Sequence, residues 1–360
     1  MALETGTRIS TRVERTCGSG RKITDRCAVF LTLPVFVLLI PLSAAGQLVP
    51  RTPSGVPDLQ GVWTGSSVTP LERPHELADR EFLSDEEAAN IEQDALDREI
   101  RLWNRAARRT EAGGNVDRAP DGAPGFYNNL WLDRSTKVIP GGRTSLIIDP
   151  PNGRIPFTDA GGERNRVSSA HYGAGPRDSY VDLDTGERCL TDGLPLRYSG
   201  YNANYQIFQT PDHIAILGEM FHDLRIIPID GLEPITIPQW LGDGRGHWDG
   251  DTLVVETESF ADKAHFWWIE AWRAARGSLR LVERFTRIDA ETIEYEFTME
   301  DPQMFTRAWT AAIPLTTDQA SRGVASGPLY EYACHEGNYG MTNTLAGARV
   351  KDLSAQEATK

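Results

Sequence analysis

From Tyr205 to Tyr332 the chain is a train of short apolar-rich runs separated by turn residues, and this spacing limits the fold more than any other feature. The runs are Tyr205 to Gln209, Ile214 to Glu219, Leu224 to Ile229, Arg245 to Trp248, Thr252 to Thr257, Leu279 to Ile288, Thr292 to Thr298, Phe305 to Pro314 and Leu329 to Tyr332. Joins as short as Thr210-Pro211-Asp212, Asp249-Gly250-Asp251 and Asp289-Ala290-Glu291 leave room only for hairpin reversals. In Thr292-Ile293-Glu294-Tyr295-Glu296-Phe297 every second residue is apolar, as in a strand with one buried face. Eight or nine such strands in sequence order make an antiparallel β-meander. The expected fold is therefore mainly β, with the meander closing into an up-and-down barrel.

Several pieces stand outside this pattern. Ser84-Asp85-Glu86-Glu87 has the form of a capping box and opens a helix expected to run to about Arg109. Ala88, Ile91, Ala95, Leu102 and Ala106 fall near one face of it, and Asp94 with Arg98 and Asp97 with Arg101 are i,i+4 ion pairs. Arg143 to Ile148 reads as a strand stopped by Asp149-Pro150-Pro151, and residues 159–200 read mostly as loop. Phe260 to Gly277 is too long for a hairpin turn and spaces Phe266, Trp267, Trp268, Ile269, Trp272 and Ala275 as a helix would, which suits a helix laid across a barrel mouth.

The apolar run Ala28 to Leu42 follows Arg21, Lys22 and Arg26 and precedes Ser43-Ala44-Ala45-Gly46, the order of a cleaved export signal. It is shorter than a comfortable membrane span of roughly 20 residues and is broken by Pro34 and Pro41, so no stable span is expected after cleavage. The organisation expected is a signal peptide over 1–46, an N-terminal extension with one helix over 47–127, the barrel over 128–350 and a flexible tail over 351–360. Removing residues 1–46 takes six basic and three acidic residues from a chain of net charge −14 and leaves −17. Nucleic acid and anionic membranes are poor partners for such a surface.

Cys17 and Cys27 precede the expected cut, leaving Cys189 and Cys334 in the mature chain. A lone pair of cysteines in an oxidising compartment is most simply a disulfide. The competing reading is a catalytic thiol at Cys334 beside His335.

Gly61-Val62-Trp63 resembles the first strand of lipocalin-like barrels, where the Trp plugs the barrel floor; the equal alternative is a plain surface-to-core anchor. A wider resemblance spans roughly residues 57–350. Pro57-Asp58-Leu59-Gln60-Gly61-Val62-Trp63, Tyr127-Asn128-Asn129, Arg188-Cys189-Leu190, the run from Glu219 to Pro228, the run from Trp248 to Thr257, and Tyr332-Ala333-Cys334-His335-Glu336-Gly337-Asn338-Tyr339 are similar to a large group of secreted bacterial proteins with many paralogues. The resemblance implies a periplasmic or secreted location and this architecture, and carries no activity with it.

Two polar clusters could do chemistry. Glu219, His222, Asp223 and Arg225 bring carboxylates, an imidazole and a guanidinium to one join between strands, enough for acid-base work at neutral pH. The structural alternative is a hairpin tip with a Glu219 to Arg225 salt bridge. In the second cluster, Cys334-His335-Glu336-Gly337-Asn338-Tyr339, a disulfide would hold His335 as a base oriented by Glu336, or the segment is a capping turn. Glu219, His222, His335 and Glu336 are also metal-ligand types, but their spacing fits neither His-Glu-x-x-His nor a zinc ribbon, so no metal or other cofactor is expected and a site assembled in three dimensions stays an alternative. Gly242-Asp243-Gly244-Arg245-Gly246 falls short of a nucleotide-binding glycine loop because His247 stands where the third glycine belongs.

The reading that unites these features is a secreted enzyme acting on a hydrophobic small molecule, such as a terpenoid, steroid or aromatic compound, by cofactor-independent acid-base chemistry of isomerase, lyase or cyclase type. His222 and His335 are the expected acid and base, with Glu219, Asp223 and Glu336 as orienting carboxylates and Arg225 as an anion contact. Trp267, Trp268, Trp272, Asn338 and Tyr339 would line the substrate site, the alternative for the three Trp being core packed on the sheet. The alternatives are a non-catalytic carrier of a hydrophobic ligand and a metal-dependent hydrolase.

Overall fold

The computed structural model describes residues 49–77, 79–104, 135–171, 177–198, 202–229, 231–262, 271–273, 277–317, 329–336 and 338–358. All of them belong to one compact unit, Gly46–Lys360. The alternating runs fold into a nearly closed antiparallel barrel. Its strands are β1 (Gly61–Thr64), β3 (Asn204–Gln209), β4 (His213–Gly218), β5 (Leu224–Pro228), β6 (Asp243–Asp249), β7 (Thr252–Glu258), β8 (Arg280–Arg287), β9 (Thr292–Glu300) and β10 (Trp309–Thr316). They stand side by side as β5-β4-β3-β1-β10-β9-β8-β7-β6, and the short β2 (Ile147–Asp149) pairs with β10 beside β1.

Every hydrogen-bonded pair along this path is antiparallel, and nine is an odd number. The end strands β5 and β6 therefore run the same way. The connection between them must cross back along the barrel instead of turning as a hairpin, which is why residues 229–242 are a long link inside an otherwise tight meander. Side chains close the seam: a Cβ on Gly246 would lie 3.1 Å from Ile227 Cγ2, so glycine is what lets β6 approach β5.

Alternation puts Leu281, Phe285, Ile293, Tyr295, Phe297, Trp309, Ile313 and Leu315 inside, all fully buried. One barrel end carries the tight turns at 210–212, 249–251 and 288–291. There Trp63 is fully buried, donates its indole N–H to Leu59 O at 3.0 Å, and lies under the Arg287 guanidinium at 5.1 Å. Arg287 in turn donates to the carbonyls of Asp58, Asp289 and Ala290. The Trp that resembled a barrel plug does occupy that place.

The capping box at Ser84 forms as expected, opening α1 (Asp85–Trp103), which Asn104 caps; residues 105–109 of the expected helix lie outside the described residues. Two helices break the expectations. Residues 159–171 form α2 (Asp159–His171) where loop was expected, and α3 (Gly340–Ala358) runs through the stretch expected to be a flexible tail. Leu329 to Tyr332, expected as a strand, belongs to no helix and pairs with no sheet. The N-terminal extension also gives β1 to the barrel.

Candidate functional site

The opposite barrel end carries the β4–β5 turn, the β7–β8 connection and the β9–β10 connection, and all the polar residues singled out between Glu219 and Arg225 sit there. Phe221 and His222 both adopt positive φ (56° and 54°), which folds Glu219 to Asp223 into a tight knot and sends neighbouring side chains to different surroundings. The Glu219 carboxylate is buried and accepts from Asn204 Nδ2 at 2.7 Å and, more weakly, from the Tyr330 N–H at 3.5 Å. His222 is exposed, and its Nε2 accepts the Tyr332 N–H at 3.0 Å. Phe221 meets the Tyr332 ring edge-on with centroids 5.1 Å apart. Glu219 and His222 both line a cleft of about 420 Å³ walled by Gln206, Leu217, Leu329, Tyr330 and Glu331.

Asp223 and Arg225 face the other way. Asp223 Oδ2 accepts from Thr191 Oγ1 and the Asp192 N–H, both at 2.7 Å, and burial raises its carboxyl above the usual range against those bonds. Arg225 points into the barrel and forms a two-pronged bond with fully buried Glu283, at 3.1 and 2.6 Å, so the expected Glu219 to Arg225 bridge is replaced by a partner across the barrel. Tyr295 donates its hydroxyl to Glu283 at 2.8 Å and accepts from the Leu196 N–H. Burial, with the Glu283 charge beside it, holds the Tyr295 phenol neutral.

A second buried set lies next to this one. Asp192 is gripped by Arg197 and touched by Arg273, which also donates to Pro195 O at 2.8 Å. Burial pushes the Asp192 carboxyl up, but the two guanidinium groups outweigh it and hold it below its usual value. Asp192, Asp223, Arg225 and Tyr205 share a cavity of about 20 Å³ with Leu194, Leu196, Ile216, Met220 and Leu241, room for about one water.

Of the aromatic insert, Trp267 and Trp268 lie outside the described residues. Trp272 is buried, stacked on Phe297 at 6.4 Å and edge-on to Trp309 at 5.3 Å, so it closes the barrel core at this rim and does not line an open pocket. Cys189 and Cys334 form the expected disulfide, with Cα atoms 5.7 Å apart. The thiol reading of Cys334 is thereby set aside. His335 and Glu336 are exposed on the turn beyond the bridge and are absent from the walls of the Glu219–His222 cleft. Asn338 donates to Cys189 Sγ at 3.2 Å, and Tyr339 is exposed.

No family model, no curated protein and no solved structure matches the chain.

Its site therefore rests on its own geometry. Among the described residues no group of three or more His, Cys, Asp or Glu side chains is placed to hold a metal ion, and no helix is long and apolar enough to cross a membrane. Reading the sequence missed Glu283, Tyr295, Asp192, Arg197 and Arg273. Glu283 had a visible signal: it falls in the inward phase of β8, between Leu281 and Phe285. Asp192, Arg197 and Arg273 sit in irregular segments that have no phase to read.

The loop holding Cys189 contains a titrating group. Asp184 is buried, its Oδ1 accepts the Glu187 N–H at 2.6 Å, and its Oδ2 has no hydrogen-bond partner. Burial pushes this carboxyl up to about 6, against the Glu187 bond. The folded state then keeps the proton where the unfolded chain, with a pKa of 3.8, has lost it. Stability from this group is unaffected below about pH 4, falls as pH rises toward 6, and is lower by at most about 3 kcal/mol above that. Asp184→Asn should flatten this slope in urea melts between pH 4 and 7, and an unchanged slope would show that Asp184 does not titrate there.

Proposed function

We propose that this protein is an exported enzyme that acts on an apolar small molecule, of terpenoid, steroid or aromatic type, by cofactor-independent acid-base chemistry in the Glu219–His222 cleft. The observation that carries the reading is that a buried carboxylate and an imidazole, from one strained turn, line a cleft of about 420 Å³ with leucine and tyrosine walls. That volume suits a small ligand, with Leu217, Leu329 and the Tyr330 ring as its apolar surface and Gln206, Glu219, His222 and Glu331 as its polar groups. His222 is the proton-transfer group. Glu219, held by Asn204, fixes the charge beside it. The disulfide fits an oxidising compartment. A carrier would need an enclosed apolar chamber, whereas Trp63, Phe285, Tyr295, Phe297 and Trp309 take up the barrel interior.

Proton transfer at carbon leaves an isotopic trace. Incubating the protein in heavy water with a panel of terpenoid, steroid and aromatic ketones, alkenes and alcohols should put deuterium into one class, read by mass spectrometry. His222→Gln and Glu219→Gln should each lower that rate by at least about 100-fold. Exchange that survives both substitutions at full rate, or none in any class, sinks the proposal.

A further inference from the structure

The segment 329–336 lies along the knotted turn and is anchored at four points. The Tyr330 N–H reaches Glu219, the Tyr332 N–H reaches His222 Nε2, the Tyr332 ring packs on Phe221, and Cys334 is bonded to Cys189. Leu329, Tyr330 and Glu331 at the same time form one wall of the cleft. Two of the four anchors end on Glu219 and His222, the carboxylate and the proton-transfer group of the proposed site.

An imidazole that accepts at Nε2 carries its proton on Nδ1, so Nε2 is the basic nitrogen of His222, and a backbone N–H occupies it. We infer that residues 329–332 are a strap that caps the site in its resting state, and that substrate enters by displacing the Tyr332 N–H from His222 Nε2, with Cys334 as the strap's fixed end. This rests on the proposed function for the identity of the site. It adds a requirement on the substrate: a weakly acidic O–H or C–H that takes the place of the Tyr332 N–H. The geometry allows the exchange because the capping bond is exposed, while the disulfide two residues further on keeps the displaced segment close.

The capping bond can be read without knowing the substrate. Diethyl pyrocarbonate acylates an unprotonated imidazole nitrogen, and His213, His247 and His335 are exposed internal standards in the same chain. In the intact protein, peptide mapping by mass spectrometry should find His222 modified about tenfold more slowly than these, the worth of one hydrogen bond to be broken first. Tyr332→Pro, which deletes the N–H, should bring His222 to the standards' rate. Tyr332→Leu, which keeps the N–H and loses the ring, should leave it slow. Amide exchange in the unmodified protein gives a check that needs no variant: the Tyr332 N–H should exchange more slowly than the same amide in an unstructured peptide. A His222 as reactive as His335 in the intact protein, equal rates in the Pro and Leu variants, or an unprotected Tyr332 amide overturns the strap. Those outcomes leave deuterium incorporation untouched, so loss of the strap and loss of the proposed enzyme are told apart.

Discussion

Arg225→Met should destabilise the protein by about 3–5 kcal/mol, because it leaves the Glu283 carboxylate buried without its counter-ion. The pair spans the barrel from β5 to β8, and the Tyr295 hydroxyl depends on the same carboxylate. Removing both charges tells a different story. Arg225→Met/Glu283→Leu replaces an ion pair by apolar groups, a change that is often neutral elsewhere, and should recover at least half of the loss even though Tyr295 loses an acceptor. Urea midpoints of the wild type and the two variants decide the matter. If the double variant is less stable than Arg225→Met alone, the pair is not the source of the cost.

The disulfide gives the second large effect. It joins residues 145 apart in sequence, and closing so long a loop is worth about 5 kcal/mol in the chain-entropy model. Cys189→Ala/Cys334→Ala should therefore lose several kcal/mol of stability in chemical denaturation, with both thiols removed so that no free cysteine confuses the result. A loss below about 1 kcal/mol would mean that residues 329–336 are already held by the barrel through His222, Glu219 and Phe221.

The strands could be read because their chemistry repeats. β8 and β9 alternate buried and solvent-facing positions over eight and nine residues, so a two-residue period finds them within a residue or two of their ends. α2 could not be read that way. Its sequence, with two glycines and no apolar stripe, gives no helical period; Gly161 is there because a Cβ would collide with Met304 O, and Thr158 Oγ1 accepts its N–H. Leu329 to Tyr332 has the composition of a strand, yet side chains of the β4–β5 turn take its N–H groups. The site divides along the same line. Glu219 to Arg225 stood out as a run of polar residues in a β-rich stretch, but the reversal of φ at Phe221 and His222 decides which of them meet, and no residue type announces it. Arg225 was visible as a charge and invisible as half of a pair, since its partner lies 58 residues away.

β1 carries a consequence for the order in which the molecule can be made. It is four residues long, and it joins the β3–β5 half to the β6–β10 half through full pairing with β3 and a single register pair, Thr64 with Thr316, to β10. The ribosome makes this clasp among the first elements and the strand it must grip last of all. Until residue 316 is in place β1 has only β3 to pair with, so its junction with β10 is the last of the strand pairings that can form.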